Sequence, residues 1–407
     1  MAEPLAGDGQ DARAVALVQE LGAQLGRLKG AGPTIVRFLS MVELGVVPDG
    51  APETAFRDVR KVVEQDLDDK IGALFDDFDE QPFAVSSLGQ VHRARTSDGD
   101  DVAVKVQHPG LAKAVEGDLR NLGVVGPLLG RIAPGLDTGA VLAEIRERIS
   151  DQLDAEVEAQ NQRRLERLFR DHPHVRVPRV HTELSAGRVL ATEYVDGRPA
   201  AEIAGLGDAE RDRAGEIAFR FFFGLVRRDG VVAGDPAPEN CILCPDGRLC
   251  LVGFGLLRDL DAAYLEGERD VLRAIAGGDA ARVRDGVSSL GYMPEPVDPD
   301  LLFEHLATAG EWMLAPGFRR VDAEYAAQIL ELGYPPRSPY FGLMRRLSVP
   351  PPTLLLRRME VQLLALLGAL NAGADWGTIS AEYHSGEPPS TPLGREDRAF
   401  FDRRARR

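Results

Sequence analysis

Cysteine and long apolar runs are scarce in this chain of 407 residues. Three cysteines are too few for a disulfide framework and suit a reducing cytoplasm. We expect them to pack as small apolar residues on adjacent strands, because no fourth ligand for a zinc site lies near them in sequence. They are Cys241, Cys244 and Cys250. No apolar run reaches the ~20 residues that a membrane helix needs, and the longest candidate, residues 354–370, contains Arg357, Arg358 and Glu360.

Positive charge is also in short supply. The chain has 48 lysine and arginine residues against 64 aspartate and glutamate residues, which gives a net charge of −16. Affinity for nucleic-acid phosphates needs a basic surface, so we expect no nucleic-acid partner. Lysine occurs at five positions only: Lys29, Lys61, Lys70, Lys105 and Lys113.

One short segment carries the spacing of a kinase catalytic loop. Asp235 precedes Asn240 by five residues, and the pair Phe254-Gly255 follows. In kinases this aspartate acts as the base, the asparagine binds a metal ion, and an Asp-Phe-Gly triplet comes next. Gly253 stands where that last aspartate should hold Mg²⁺ against the nucleotide. The pattern therefore indicates a nucleotide-binding frame that lacks one of its main catalytic charges.

Lys105 ends the run Val102-Ala103-Val104-Lys105. A kinase lysine on such a strand reaches the α and β phosphates, and a glutamate from a helix holds it in place. Taken alone, the pattern fits an exposed strand lysine better. The downstream motif that begins at Asp235 favours the phosphate-binding interpretation.

Hydrophobic spacing predicts an α+β chain. Helical periodicity runs over residues 13–29, 33–45, 55–75 and 111–170. Residues 83–95 and 101–107 are typical of two strands joined by a turn at 97–100, and residues 175–180 are strand-like as well. The expected organisation is a flexible N-terminus (1–12), an N-terminal helical extension (13–78), a β-rich lobe with inserted helices (79–197), a helix-rich lobe (198–386) and a loose polar tail (387–407).

Several segments, in the right order, resemble the AarF/UbiB/ADCK group of atypical kinases. Residues 82–94 read PFAVSSLGQVHRA, which is similar to the alanine-rich loop that this group has in place of a glycine-rich one. Residues 102–110 (VAVKVQHPG), 158–161 (EAQN) and 188–197 (RVLATEYVDG) follow the same pattern, as does the segment 230–255. The resemblance implies a protein-kinase-like two-lobed fold whose N-terminal helices pack over the nucleotide site.

The resemblance also implies which residues bind the phosphates of ATP or ADP. Lys105 would bind phosphate and pair with Glu158. A loop would arch over the phosphates through its backbone N–H groups, which suit anions. Its residues are Ala84, Val85, Ser86, Ser87 and Gly89.

The remaining implied roles concern the adenine and the reacting groups. Glu193 to Val195 would form the hinge that meets adenine. Asp235 would orient the acceptor hydroxyl, and Asn240 would hold a metal ion. Glu239 is an alternative metal ligand in place of the missing aspartate.

The sequence departs from the family pattern at several motifs. The lysine-x-glycine-glutamine signature is expected at residues 34–37, which read Thr-Ile-Val-Arg, and the glutamate of a glutamate-x-aspartate motif is Gln152. If these two positions face each other, as the family implies, both charges have been lost together, and an unpaired buried charge would be costly. Ala233 replaces the histidine that usually precedes the catalytic loop, and Gly253 replaces the metal-binding aspartate.

These departures favour a pseudokinase that still binds ATP or ADP, with weak or absent Mg²⁺ binding and phosphoryl transfer. The resemblance implies a link to isoprenoid-lipid or quinone metabolism and an unknown protein or isoprenoid-lipid partner. We expect a cytoplasmic protein, with peripheral membrane contact as an open alternative. Two other functions stay open: an active atypical kinase or ATPase with a rearranged metal site, and a scaffold that binds no nucleotide.

Overall fold

A small antiparallel sheet and a larger helical lobe make up the part of the chain that the computed structural model describes, residues 53–332 and 338–406. The predicted α+β class, with a sheet-bearing lobe before a helix-rich one, is confirmed. The predicted helices at residues 13–29 and 33–45, and the altered signature at 34–37, lie outside the described residues.

The first lobe begins with two helices and then alternates strands with longer helices. Its elements are α1 (Phe56–Asp66), α2 (Ile71–Leu74), β1 (Phe75–Phe78), β2 (Ala84–Val85), β3 (Gly89–Thr96), β4 (Asp101–Gln107), α3 (Leu111–Ile132), α4 (Thr138–Gln152), α5 (Ala155–Phe169), β5 (Val175–Arg176) and β6 (Val189–Glu193). The sheet has the order β1-β3-β4-β6, with β2 paired to β3, and all of these pairs are antiparallel. Because β1 pairs with β3, the sheet already begins inside the segment that we assigned to the N-terminal extension.

Strand β4 lies between β3 and β6 and places Lys105 on the face away from the small core. Val102, Val104 and Val106 are buried and pack with Val63 of α1, whereas Lys105 and its alternate neighbours are half-buried. This alternation follows from the two-residue period of a strand. Lys105 lies opposite Val91 of β3 in the register of the sheet.

The second lobe is mostly helical, with several very short strand pairs. Its elements are β7 (Arg198–Pro199), α6 (Ala200–Ile203), α7 (Asp208–Asp229), β8 (Val231–Ala233), β9 (Cys241–Leu243), β10 (Leu249–Leu251), β11 (Leu257–Asp259), α8 (Ala262–Ala276), α9 (Ala280–Ser289), α10 (Pro299–Leu314), β12 (Arg319–Val321), α11 (Ala323–Glu331), α12 (Phe341–Met344), α13 (Leu354–Leu370), β13 (Ala372–Ala374), α14 (Trp376–His384) and α15 (Pro392–Ala405).

Helices α7 and α13 form the centre of this lobe. Both are buried over most of their length, and their apolar side chains share one core. Over the described residues, no helix is both long enough and apolar enough to cross a membrane.

The short strands bring together two loops that we predicted to carry site residues. β8 pairs with β11 and β9 pairs with β10, all antiparallel. The loop between β8 and β9 therefore meets the loop between β10 and β11, and the Val252 N–H donates to the Asn240 carbonyl at 3.1 Å. Two of the cysteines lie on the adjacent strands β9 and β10, and all three are buried free thiols.

The expectation of a loose tail after residue 387 is wrong. Helix α15 begins at Pro392, and the Thr391 side chain accepts a hydrogen bond from the Gly394 N–H at 2.9 Å. A threonine cap followed by proline at the first helical position is a favourable helix start. Phe400 is buried, and the carboxylate of Asp397 lies 3.0 Å from Nε2 of the buried His172. The helix was not predicted because charged residues dominate the composition of this segment and few of its side chains are apolar.

Candidate nucleotide site

A lysine and a glutamate meet between the sheet and helix α5. Lys105 Nζ lies 2.7 Å from Glu158 Oε2, with 34% of the lysine side chain and 5% of the glutamate side chain exposed. Glu158 stands in the first turn of α5, and Asp154 caps that turn by accepting from the Glu156 N–H at 2.9 Å. A hydrogen bond between two charged groups is short and strong. Lys105 therefore keeps a positive, partly accessible end beside a buried carboxylate.

A small pocket adjoins this ion pair. Gln152, the residue that replaces the expected glutamate, lines the pocket with Lys105 and Glu158. A Cβ atom added to Gly255 would lie 3.4 Å from Gln152 Cγ and 3.6 Å from Glu158 Oε2. Gln152 and Gly255 therefore both lie beside the Lys105–Glu158 ion pair.

Asp235 and Asn240, the predicted catalytic-loop residues, are hydrogen-bonded to each other. Asn240 Nδ2 donates to the Asp235 carbonyl at 3.1 Å and to Asp235 Oδ2 at 3.3 Å. A single 3₁₀ turn, Pro238–Asn240, sets this geometry, and its first residue is a proline that has no N–H to satisfy. Glu239 is exposed in that turn.

Arg358 of helix α13 contacts the other oxygen of Asp235. Its NH2 group donates to Asp235 Oδ1 at 2.8 Å, its Nε donates to the Gly234 carbonyl at 3.1 Å, and only 4% of its side chain is exposed. Gln362, with its amide oriented to satisfy its neighbours, also donates to Asp235 Oδ1 at 3.2 Å. Both oxygens of Asp235 are therefore engaged by protein groups. We did not predict this contact, although an arginine within the apolar run 354–370 indicates a buried guanidinium that needs an acidic partner.

Gly253 has a left-handed backbone and directly faces Asn240. Its φ angle is +79°, and a Cβ atom added there would lie 2.5 Å from Asn240 Nδ2 and 2.6 Å from Asn240 Cγ. Distances this short are not tolerated between heavy atoms. The amide of Asn240 thus fills the space in which a side chain at position 253 would begin.

The predicted phosphate loop is a tight turn closed by its own serine. Ala84 and Val85 are exposed on β2, and the Ser86 N–H donates to the Gly89 carbonyl at 2.8 Å. The N–H groups of Leu88 and Gly89 each lie 3.3 Å from Ser86 Oγ. In this conformation the N–H groups of Ser86, Leu88 and Gly89 therefore point into the turn. The expectation that the whole loop presents its N–H groups to phosphates needs this correction.

The predicted hinge lies at the end of β6. The Glu193 carboxylate pairs with Arg176 at 2.7 Å, so its side chain points to β5, the strand that pairs with β10 of the second lobe, while Val195 is half-buried. Phe83, which is 57% exposed, packs edge-on against Tyr194 with ring centroids 5.8 Å apart. An accessible aromatic pair beside the hinge suits contact with a planar base.

A protein-family model described as the ABC1 atypical kinase-like domain matches residues 46–286. The chain belongs to the ABC1 atypical kinase-like family. It is 30% identical over 291 residues to the atypical kinase coq-8, mitochondrial, of Caenorhabditis elegans, covering 67% of this chain and 38% of that one. It is 29% identical over 260 residues to the chloroplastic protein activity of BC1 complex kinase 8 of Arabidopsis thaliana, covering 62% and 34%.

A solved structure covers nearly all of this ABC1 chain. It is the complex of Rv3197 and erythromycin from Mycobacterium tuberculosis, with 27% identity and a TM-score of 0.66, and the match covers 93% of this chain and 100% of that one. By contrast, the chain spans between a third and a half of the length of the curated relatives that it matches. The predicted kinase-like fold and family are confirmed by these matches.

The Mg²⁺ site that the kinase fold implies does not fit the donors of this ABC1 chain. Mg²⁺ needs six oxygen ligands in near-octahedral geometry and prefers at least one carboxylate. Position 253 supplies none, and the Asp235 carboxylate is occupied by Arg358 and Asn240. Among the residues that the structure describes, no three His, Cys, Asp or Glu side chains gather in a metal-binding group.

Proposed function

We propose that this ABC1 protein is a pseudokinase that binds ATP or ADP and transfers phosphate weakly or not at all. The observation that carries the proposal is the contrast between two clusters. Lys105 and Glu158 form an ion pair at 2.7 Å, whereas Asp235 is tied to Arg358 and Asn240, and Asn240 faces a glycine at position 253.

Lys105 is the chief candidate for a phosphate counterion. Its partly exposed ammonium lies at the edge of the small pocket, and Glu158 neutralises only one side of it. A phosphate oxygen that approached the exposed side would gain a charge-assisted hydrogen bond. The pair is already formed in the structure, so binding requires little rearrangement of these two side chains.

Phosphoryl transfer is disfavoured by the state of Asp235. A general base must lie within hydrogen-bond reach of the proton that it removes. Both oxygens of Asp235 accept hydrogen bonds from Arg358 and Asn240, so the carboxylate has little capacity to take a substrate proton. The missing acid at position 253 also leaves charge on the transferring phosphate uncompensated.

We further propose a cytoplasmic role connected to isoprenoid lipids or quinones, exerted through a nucleotide-dependent change of shape or through a protein partner. Family membership supports this connection, because atypical kinase coq-8 is among the similar proteins. The buried free thiols agree with a reducing compartment.

The test is a binding titration of ATP and ADP, with and without Mg²⁺, on the full chain. We expect nucleotide binding that does not need Mg²⁺. Lys105→Ala should lower the affinity on the order of tenfold, because it removes the free energy of about one charge-assisted hydrogen bond. Lys105→Ala also leaves Glu158 unpaired and repulsive to phosphate. The double variant Lys105→Ala/Glu158→Gln removes that repulsion, so a loss of affinity that persists there belongs to the lysine itself.

Each other outcome rejects part of the proposal. Turnover that requires Mg²⁺ would make the protein an active kinase or ATPase with a rearranged metal site. No binding under any condition would make it a scaffold. Equal affinity of the double variant and the wild type would remove Lys105 from the site.

A further inference from the structure

A second cavity lies in the helix-rich lobe, away from Lys105 and the catalytic loop. Its volume is about 310 Å³, and helices α8, α10 and α13 form most of its wall. It shares no lining residue with the small pocket beside Lys105. Its surface is mainly hydrocarbon, from side chains such as Val271, Leu302, Trp312 and Met313.

Protein interiors are close-packed, and a void of this size loses contacts that a folded chain normally keeps. An engineered apolar cavity of about 150 Å³ in another protein stays dry and binds benzene. The cavity here has roughly twice that volume, which suits a ligand of about a dozen non-hydrogen atoms.

One end of the cavity is polar but carries balanced charge. Arg357 donates to Glu268 at 2.5 Å and to Glu360 at 2.7 Å, and Arg227 lies 3.5 Å from Glu360. Two guanidinium groups therefore face two carboxylates. A charged ligand would leave its own charge unpaired in a low-dielectric site, so a neutral ligand is favoured.

Two buried nitrogen atoms at the wall have no hydrogen-bond partner in the described residues. They are Nε of Arg357 and Nδ1 of His305, and both residues line the cavity. His305 is 6% exposed, and burial lowers the pKa of its imidazole to about 4, so the ring is neutral. An arginine Nε–H can only donate, and the neutral ring of His305 donates from Nδ1 when it is the Nδ1–H tautomer. Buried donors without partners are rare in folded proteins, and an oxygen atom of a ligand would satisfy them.

We propose that this cavity binds a small, neutral, mainly hydrocarbon molecule that carries one carbonyl or ether oxygen, with the oxygen at the Arg357 and His305 end. The hydrocarbon wall recognises the body of the ligand, and the two orphan nitrogens recognise its oxygen. This site is independent of the proposed nucleotide function.

Calorimetric titration of the full chain with 2-undecanone tests the proposal. We expect one ligand per chain and a shift in the fluorescence of Trp312, whose buried indole lines the cavity. The hydrocarbon undecane should bind on the order of tenfold more weakly, because it leaves the two donors unsatisfied. Decanoate and decylammonium should not bind measurably. A charged probe that binds as tightly as the ketone, or a ketone that does not bind, overturns the proposal without any variant.

Two substitutions on the same helix locate the site. Ala309 lines the cavity, whereas Ala307 of the same helix α10 does not. Ala309→Phe should fill the space, keep or raise the melting temperature and weaken 2-undecanone binding at least tenfold, while Ala307→Phe should leave the affinity within about twofold of wild type. His305→Phe should reduce the preference for the ketone over undecane. Equal affinities for the two alanine variants would place any bound ketone elsewhere.

Discussion

Restoring an aspartate at position 253 tests whether the phosphates lie where a kinase fold places them. Gly253→Asp adds a side chain at a residue with φ of +79°, and its Cβ would lie 2.5 Å from Asn240 Nδ2. Asn240 must therefore rotate away and give up its two hydrogen bonds to Asp235. Two such bonds are worth about 2 kcal/mol, and the left-handed backbone adds about 1 kcal/mol for a residue other than glycine.

Without added ligand, the free energy of unfolding of the variant should therefore be about 2–3 kcal/mol lower than that of the wild type. Binding of Mg²⁺ and ATP should offset this loss of stability, because the new carboxylate supplies an anionic metal ligand. We expect Mg²⁺ to raise ATP affinity on the order of tenfold more in Gly253→Asp than in wild type. Urea unfolding measures the first quantity, and calorimetric titration of ATP with and without Mg²⁺ measures the second.

Gly253→Asn is the matched control. Asparagine has the same shape and tolerates the same backbone region, so it should cause the same loss of stability without the gain in Mg²⁺ dependence. If the aspartate and asparagine variants respond equally to Mg²⁺, the metal and phosphates do not lie beside residue 253. If neither variant is destabilised, the contact with Asn240 does not restrict this position.

Two further predictions concern buried charge. Arg358→Met should destabilise the fold by about 3 kcal/mol, because it leaves Asp235 without its buried partner. Urea unfolding should show that the double variant Arg358→Met/Asp235→Leu recovers most of this loss. If the double variant is no more stable than Arg358→Met, the two residues are not energetically paired. Burial lowers the pKa values of His305 and His384 to about 4, so the folded state binds fewer protons than the unfolded state between pH 4 and 6.5. The free energy of unfolding should therefore be constant above pH 6.5 and fall as the pH decreases from 6.5 to 4, by up to about 3 kcal/mol per histidine. In His384→Gln, the midpoint of urea unfolding should depend less on pH between pH 7 and 5 than it does in the wild type.

Local patterns were sufficient for much of the first lobe and for one loop of the second. The strand that carries Lys105 and the loop from Asp235 to Asn240 were predicted because their signals span a few residues: a two-residue alternation and a fixed spacing. The predicted strand at 175–180 shortened to Val175–Arg176, because only two of its residues find a partner on β10. The helix at Pro392 was missed because charge dominates its composition, although Thr391 was a local start signal.

The sequence by itself determined the family and the α+β class, and it predicts the loss of an acid at Gly253, since each depends on residue identities at short spacing. Only the tertiary structure decided what surrounds that loss. Arg358 is 123 residues from Asp235 along the chain, and sequence can say that a buried guanidinium needs a carboxylate but not which one. The same holds for Asn240, which fills the space beside Gly253, and for the cavity at His305: both are products of how distant helices and loops pack, because burial and pairing depend on three-dimensional neighbours.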